Sequence, residues 1–148
     1  MTVVSTTNTL QCQILNTKQS SKYLGVTLTD DLSWTNHVAT VAARGNRLVS
    51  FLRRNFCDCT TKVRSATYAT MVCPKLEYAS CVWDPHRQEG IQTLETVQRQ
   101  ATKYACNNDT ERQPWVVTSM LENLKWDSLE QRRLHDRLGM LYRIQTGW

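Results

Sequence analysis

The stretch that decides the fold is WTNHVATVAARGNRLVSFLRR, residues 34–54. At 100° per residue its apolar positions fall on one side and predict a helix that faces a core. Arg44, Arg47 and Arg54 fall on the other side, so the helix has a basic outer face. The apolar positions are Trp34, Val38, Val41, Ala42, Gly45, Leu48, Val49 and Leu52.

The next segments continue the helical pattern. Thr60 suits the N-cap of a second helix, and Pro74 predicts a kink or break because proline lacks a donor and clashes with the previous turn. Residues 75–83 are compatible with more helix, and Asp84-Pro85 predicts a turn. A third helix is predicted from an apolar side that comprises Ile91, Leu94, Val97, Gln98, Ala101, Tyr104 and Ala105.

The C-terminal part predicts a polar loop over residues 107–114, a short helix that ends near Trp126, and a final helix to about Ile144. Asp127-Ser128-Leu129-Glu130 has the form of a capping box, with Asp127 as the cap of the final helix. The core-facing stripe predicted for that helix consists of Leu134, Leu138, Leu141 and Ile144, with Tyr142 at its edge.

The N-terminal part has the alternating pattern of strands. Apolar residues occupy every second position over residues 10–14 and 24–28, with a polar segment between them, which predicts one hairpin over about residues 9–29. Such a hairpin needs another surface to cover its apolar face. The predicted fold is therefore mainly α, with a small N-terminal β-hairpin (segment 1–32) followed by a bundle of about five helices (segment 33–148).

Composition limits the class of protein. The chain has 148 residues, of which 41% are hydrophobic and 21% charged, so it is expected to fold as one packed domain. It has no apolar run of the roughly 20 residues that a membrane span needs, and no secretory leader pattern. We therefore expect no membrane association and an intracellular location, nuclear or cytoplasmic, without secretion.

Motifs for catalysis or metal binding are weak. The sequence lacks a phosphate loop, a Gly-x-Ser-x-Gly elbow and a His-Glu-x-x-His pair, and its three histidines are far apart. Asp30-Asp31 could hold metal ions as paired carboxylates, but its position after a strand favours a turn. The irregular spacing of Cys57, Cys59, Cys73, Cys81 and His86 makes zinc a minor alternative to reduced thiols.

Positive charge is concentrated in the middle of the chain. The net charge is +5, and residues 35–106 hold ten basic and five acidic groups, which accounts for all of it. Basic groups near Phe51 and Phe56 suit a nucleic-acid backbone, although a solvated helix face explains the same residues. The predicted contacts are Arg44, Arg47, Arg53, Arg54 and Lys62, with Arg99 and Lys103 as weaker choices. Arg64 belongs to the same group of basic residues near aromatics, and the Arg132-Arg133 pair is open to both interpretations.

Five ordered groups of phrases carry a family resemblance. The phrases are Lys22-Tyr23-Leu24-Gly25-Val26; Leu32-Ser33-Trp34 with His37, then Leu52-Arg53-Arg54-Asn55; Leu76-Glu77-Tyr78 with Val82-Trp83-Asp84-Pro85; Leu94-Glu95-x-Val97-Gln98-Arg99-x-Ala101; and Leu124-x-Trp126-x-x-Leu129-Glu130-x-Arg132-Arg133. Over about residues 10–147 they resemble the segment after the catalytic palm in reverse transcriptases of non-LTR, LINE-type retrotransposons of the jockey-like kind.

The resemblance implies the end of a palm followed by a helical thumb that grips an RNA template and a DNA primer. The palm carboxylates of that family, in an aromatic-x-Asp-Asp motif, have no counterpart here, so no catalytic residue is assigned. Mg²⁺ is expected only in a full-length polymerase, and this fragment is predicted to need no cofactor and to be inactive without the missing palm and fingers. The alternative is a helical protein-interaction module or a non-functional retroelement remnant.

Overall fold

The computed structural model describes two short strands, Thr9–Leu10 (β1) and Gln13–Ile14 (β2), together with residues 18–108 and 113–147. It is mainly helical and begins with antiparallel hairpins, which confirms the predicted fold class. The thiol of Cys12, the side chains of residues 10–14 and the middle of the loop predicted at 107–114 lie outside the described residues.

The hairpin strands differ from the prediction. β1 pairs with β2, and separately Ser20–Tyr23 (β3) pairs with Val26–Thr29 (β4). Leu24, predicted inside a strand, lies in the turn with Gly25, and their φ angles are +46° and +87°. A two-residue turn with both φ angles positive matches the twist of a hairpin. Gly25 adopts such an angle readily, so the turn lies within residues 24–28, which were predicted to be one strand.

The helix predicted from residues 34–54 is confirmed as α1, Thr35–Asn55. Most of its predicted stripe is buried, and Trp34 and Leu48 are partly buried against the same core. α1 packs along α5, Gln88–Cys106, which is the predicted third helix. A Cβ atom on Gly45 would lie 2.8 Å from Leu76 and 2.9 Å from Val97, so the glycine permits this close packing.

The second helix begins at the predicted N-cap, Thr60, and runs as α2, Thr61–Thr67. A π-helical turn, Tyr68–Val72, then leads into α3, Cys73–Glu77, where Pro74 occupies the first turn and its missing N–H is tolerated. The helix predicted for residues 75–83 is interrupted at Ala79, whose φ is +55°. A short helix, α4, Ser80–Trp83, ends at Asp84, where the turn was predicted.

The last two helices are α6, Pro114–Leu124, and α7, Leu129–Thr146. The predicted cap is wrong by one residue, because Ser128 accepts from the amide of Gln131 at 3.2 Å and its own amide donates back to that side chain. The predicted core stripe of α7 is also wrong, since Leu141 is 62% exposed and the others are exposed too. The buried residues of α7 are Leu129 and Arg133, so only its first turns meet the bundle.

Candidate nucleic-acid interface

α1 carries four arginines and no acidic residue. Arg44, Arg47, Phe51 and Arg54 lie within about 80° of one another around the helix axis, on the side away from α5. All four are exposed. We call these four residues the basic stripe.

The arginines of the basic stripe have no ion-pair partner within residues 18–108 and 113–147. Their charge is therefore not neutralised by the carboxylates described. Unpaired guanidinium groups beside an exposed aromatic ring can pair with phosphates and stack on bases.

The other predicted contacts lie elsewhere. Arg53 points to the opposite edge of α1, where its Nη2 donates to the carbonyl oxygen of Gln100 in α5 at 3.2 Å. Lys62 is exposed in the first turn of α2, while Arg99 is exposed and Lys103 partly exposed on the outer side of α5. The structure thus brings three of the seven predicted residues into one row.

Arg64 does not belong to a solvent-facing basic surface, and that part of the prediction is wrong. It is buried and donates to the carbonyl oxygens of Phe56 at 3.3 Å and Tyr104 at 3.2 Å, and also to that of Cys57. Its guanidinium lies 5.7 Å from the centre of the Tyr104 ring. The group holds the loop between α1 and α2 against α5, a role that its sequence neighbours gave no sign of.

Arg132 and Arg133 are also structural. Arg132 forms a two-pronged pair with Glu77, at 2.7 Å and 2.9 Å, and Arg133 pairs with Asp84 at 2.8 Å. Arg137 adds a second cation to Asp84 at 3.0 Å. Burial raises the pKa of Glu77 although Arg132 acts in the other direction. These pairs fasten α7 to the end of α3 and to α4.

Residues from several of the phrases that carry the family resemblance form hydrogen bonds with one another near these ion pairs. In the side chain of Gln98, in α5, Nε2 donates to the carbonyl of Asp127 at 2.8 Å and Oε1 accepts from the backbone amide of Leu129 at 3.1 Å. Glu95 accepts from the amide of Glu130 at 2.9 Å. Two side chains of α5 therefore fix the start of α7, although about 30 residues separate them in the sequence. The order of these phrases along the chain is thus related to how α5 packs against α7.

Aromatic residues of the same phrases pack in the core. The indole of Trp83 is fully buried and donates to the carbonyl of Tyr78 at 2.8 Å. The rings of His37 and Trp83 meet edge to face at 4.9 Å, and Trp126 stacks on Tyr68 at 4.3 Å. Burial raises the pKa of Tyr68 and keeps the phenol neutral.

Asp30-Asp31 forms the turn that was predicted. The Asp31 carboxylate accepts from the amide of Ser33 at 2.9 Å, and Asp30 accepts from the amide of Asp31 at 3.0 Å. In the described part of the chain, no three His, Cys, Asp or Glu side chains are grouped closely enough to hold a metal ion. None of the described helices is both long and apolar enough to cross a membrane.

Comparisons with protein-family models, curated proteins and solved structures found no match to this chain. The resemblance to reverse transcriptases stays a prediction. A function for the chain therefore has to be argued from its own geometry and charge.

Proposed function

We propose that this chain is the palm-end and thumb fragment of a retrotransposon RNA-directed DNA polymerase, and that it holds an RNA template and DNA primer duplex. The observation that carries the proposal is the basic stripe on α1, which is exposed and unpaired among the described residues. Phosphates attract such a row without needing a particular base sequence.

The ion pairs of the chain sharpen this argument. The arginines near α7 are matched to Glu77 and Asp84, whereas those of the basic stripe have no matched carboxylate among the described residues. Arg44, Arg47 and Arg54 thus present three charges on one outer side of α1 without a counter-charge among the described residues. An external polyanion such as a nucleic-acid backbone can supply that counter-charge.

The proposed role is to hold the duplex and does not include nucleotide joining. Phosphoryl transfer by polymerases requires metal ions positioned by carboxylates, and Asp30 and Asp31 are engaged in a turn. Primer extension in the presence of Mg²⁺ and nucleotides would contradict this view.

Binding of the purified chain to a labelled RNA–DNA heteroduplex across a salt series tests the proposal. Reversing Arg44, Arg47 and Arg54 to glutamate should weaken binding strongly and reduce the slope of log affinity against log salt by about 2 to 3. Unchanged affinity and slope would overturn the assignment.

The matched control reverses three exposed cations outside the stripe, Lys22, Lys125 and Arg143, so that the net charge changes by the same amount. This variant should keep most of the affinity, because long-range charge alone is screened within about 10 Å at 0.1 M salt. Equal losses in both variants would mean that net charge, and not the basic stripe, drives binding.

A second candidate function is a helical protein-interaction module, and the exposed face of α7 favours it. Leu138, Leu141 and Ile144 lie more than half exposed on that helix. Apolar patches of this kind often mark contact surfaces. Self-association or absence of heteroduplex binding at low salt would support this second function against the first.

A further inference from the structure

Phe51 places an aromatic ring within the basic stripe. The residue is 41% exposed. It lies about 6 Å after Arg47 and about 4.5 Å before Arg54 along the axis of α1, and within about 60° of each arginine of the stripe around that axis. A single exposed apolar residue is ordinary, but this ring has cations on both sides. Its setting therefore matters more than its exposure.

The surface continues from the basic stripe onto α3. Arg44, Lys75 and Tyr78 line one hollow of about 230 Å³. Lys75 is exposed and has no ion-pair partner in the described part of the chain, and the neighbouring Glu77 pairs with Arg132 at 2.7 Å. Tyr78 is 58% exposed. We call the basic stripe together with Lys75 and Tyr78 the extended stripe.

The ring of Tyr78 is held in position. Its hydroxyl donates to the carbonyl of Leu24 at 3.0 Å, and its Cε1 atom lies 3.4 Å from the place that a Cβ atom on Gly25 would take. The ring thus rests against the β3–β4 turn while much of the residue stays exposed. A contact that is fixed before binding costs less conformational entropy when a ligand arrives.

Cations that alternate with rings fit an unpaired strand better than a duplex. In a duplex the bases are paired and stacked inside, so a row of cations reaches phosphates but a ring between them finds no base face. An unpaired strand offers both groups, and proteins bind it with a positive surface on which aromatic side chains stack against the bases. The rings of the extended stripe therefore favour a single strand.

We propose that the extended stripe binds the unpaired RNA template strand next to the heteroduplex. Phe51 and Tyr78 stack on bases, and Arg44, Arg47, Arg54 and Lys75 pair with phosphates. The identity of this strand rests on the proposed thumb function, and the inference adds which part of the template the stripe contacts. Binding of this kind tolerates any base sequence, because every base has a face on which a ring can stack.

The test compares the affinity of the full chain for three substrates at constant salt. These are a blunt RNA–DNA heteroduplex, the same heteroduplex with an RNA template extension of about ten nucleotides, and a blunt heteroduplex lengthened by as many base pairs. The extension should raise the affinity about tenfold or more over the blunt form. The lengthened duplex should gain much less, although it adds even more phosphates.

Variants of Phe51 separate stacking from burial of apolar surface. Phe51→Leu keeps an apolar side chain without a ring, so the ratio of extended to blunt affinity should fall about five- to tenfold. Phe51→Trp keeps a ring and should keep the ratio. Tyr142→Leu removes a 68% exposed ring on α7 and is the matched control, which should leave the ratio unchanged. Denaturant titrations establish that each variant is folded.

Equal affinity for the extended and the lengthened duplex, or an unchanged ratio in Phe51→Leu, would overturn the inference while leaving the thumb function in place. Absence of binding to every heteroduplex would contradict the thumb function instead. In that case, binding of the free RNA strand that is lost in Phe51→Leu would still support the extended stripe as a single-strand surface. A chain that binds neither heteroduplex nor free RNA would overturn both.

Discussion

Two Arg-Arg pairs, Arg53-Arg54 and Arg132-Arg133, look alike in the sequence and do different things in the structure. The second pair is fastened to Glu77 and Asp84, and the side chain of Arg133 is only 1% exposed. In the first pair, Arg54 faces solvent and Arg53 contacts the backbone of α5. The pairs differ in which elements pack beside them.

An arginine is therefore structural where a packed neighbour supplies an acceptor, and it stays exposed to solvent where no neighbour does. α3 and α4 present Glu77 and Asp84 to the first turns of α7. No described carboxylate forms an ion pair with Arg44, Arg47 or Arg54 on the outer side of α1. Substitutions at four places test this division, beginning with the largest expected effect.

Asp84→Asn tests the most buried pair. It leaves the charge of Arg133 buried with no anionic partner, so the free energy of unfolding should fall by about 3–5 kcal/mol in denaturant titrations. The double variant Asp84→Asn with Arg133→Met should recover more than about 1 kcal/mol, because it removes the unpaired charge. Asp58→Asn, at an exposed aspartate, is the control, and an equal loss there would contradict the division.

Arg64→Met tests whether a single arginine that lies near the basic residues in sequence is structural. It removes hydrogen bonds to three carbonyl groups, and the free energy of unfolding should fall by about 2–3 kcal/mol. Arg64→Lys keeps the charge but cannot reach all three oxygens, so it should lose a part of that stability. If both variants were as stable as the wild type, Arg64 would belong with the solvent-facing arginines.

Arg132→Met tests the half-buried pair of Arg132 and Glu77 through the pH dependence of the unfolding free energy. At pH 7 the variant should lose about 1–3 kcal/mol, because the Glu77 carboxylate then lacks its cation. The pKa of Glu77 is already raised by burial, and without Arg132 it should rise further. Protonation removes the unpaired charge, so the difference in unfolding free energy between variant and wild type should shrink as pH falls through the raised pKa.

The reverse trend, a difference that grows as pH falls, would show that Glu77 is not the partner that matters. Arg132→Met combined with Glu77→Gln is the control. It should show little pH dependence relative to a Glu77→Gln single variant, because neither chain can titrate at that position.

The sequence was sufficient to predict most of the helices, but it was insufficient to predict which elements pack against each of them. Periodicity predicted α1 and α5 because their apolar stripes face each other, with Gly45 at the close approach. The same kind of stripe on α7 gave a wrong prediction, since a pattern identifies an apolar side but not whether anything packs on it. The short hairpin was misread because Gly25 closed a turn within an alternating segment.

The candidate site was predictable to the same degree. The pattern of α1 placed Arg44, Arg47 and Arg54 together, because all three lie on one helix and its geometry fixes their angles. It could not separate Arg64 from them, since the acceptors of Arg64 include the carbonyl of Tyr104, 40 residues away in the chain.

The smallest expected effect is that of the basic stripe on stability. Arg47→Gln should change the free energy of unfolding by less than about 0.5 kcal/mol, because the side chain is exposed and unpaired among the described residues. Arg54→Gln should lower it by about 0.3–1 kcal/mol at low salt, since a cation in the last turn of α1 favours the helix dipole. Denaturant titrations at low and high salt separate the two, because the contribution of Arg54 should disappear when salt screens it. A salt-independent loss in either variant would mean that the arginine makes a packed contact, and the basic stripe would then belong with Arg132 and Arg133.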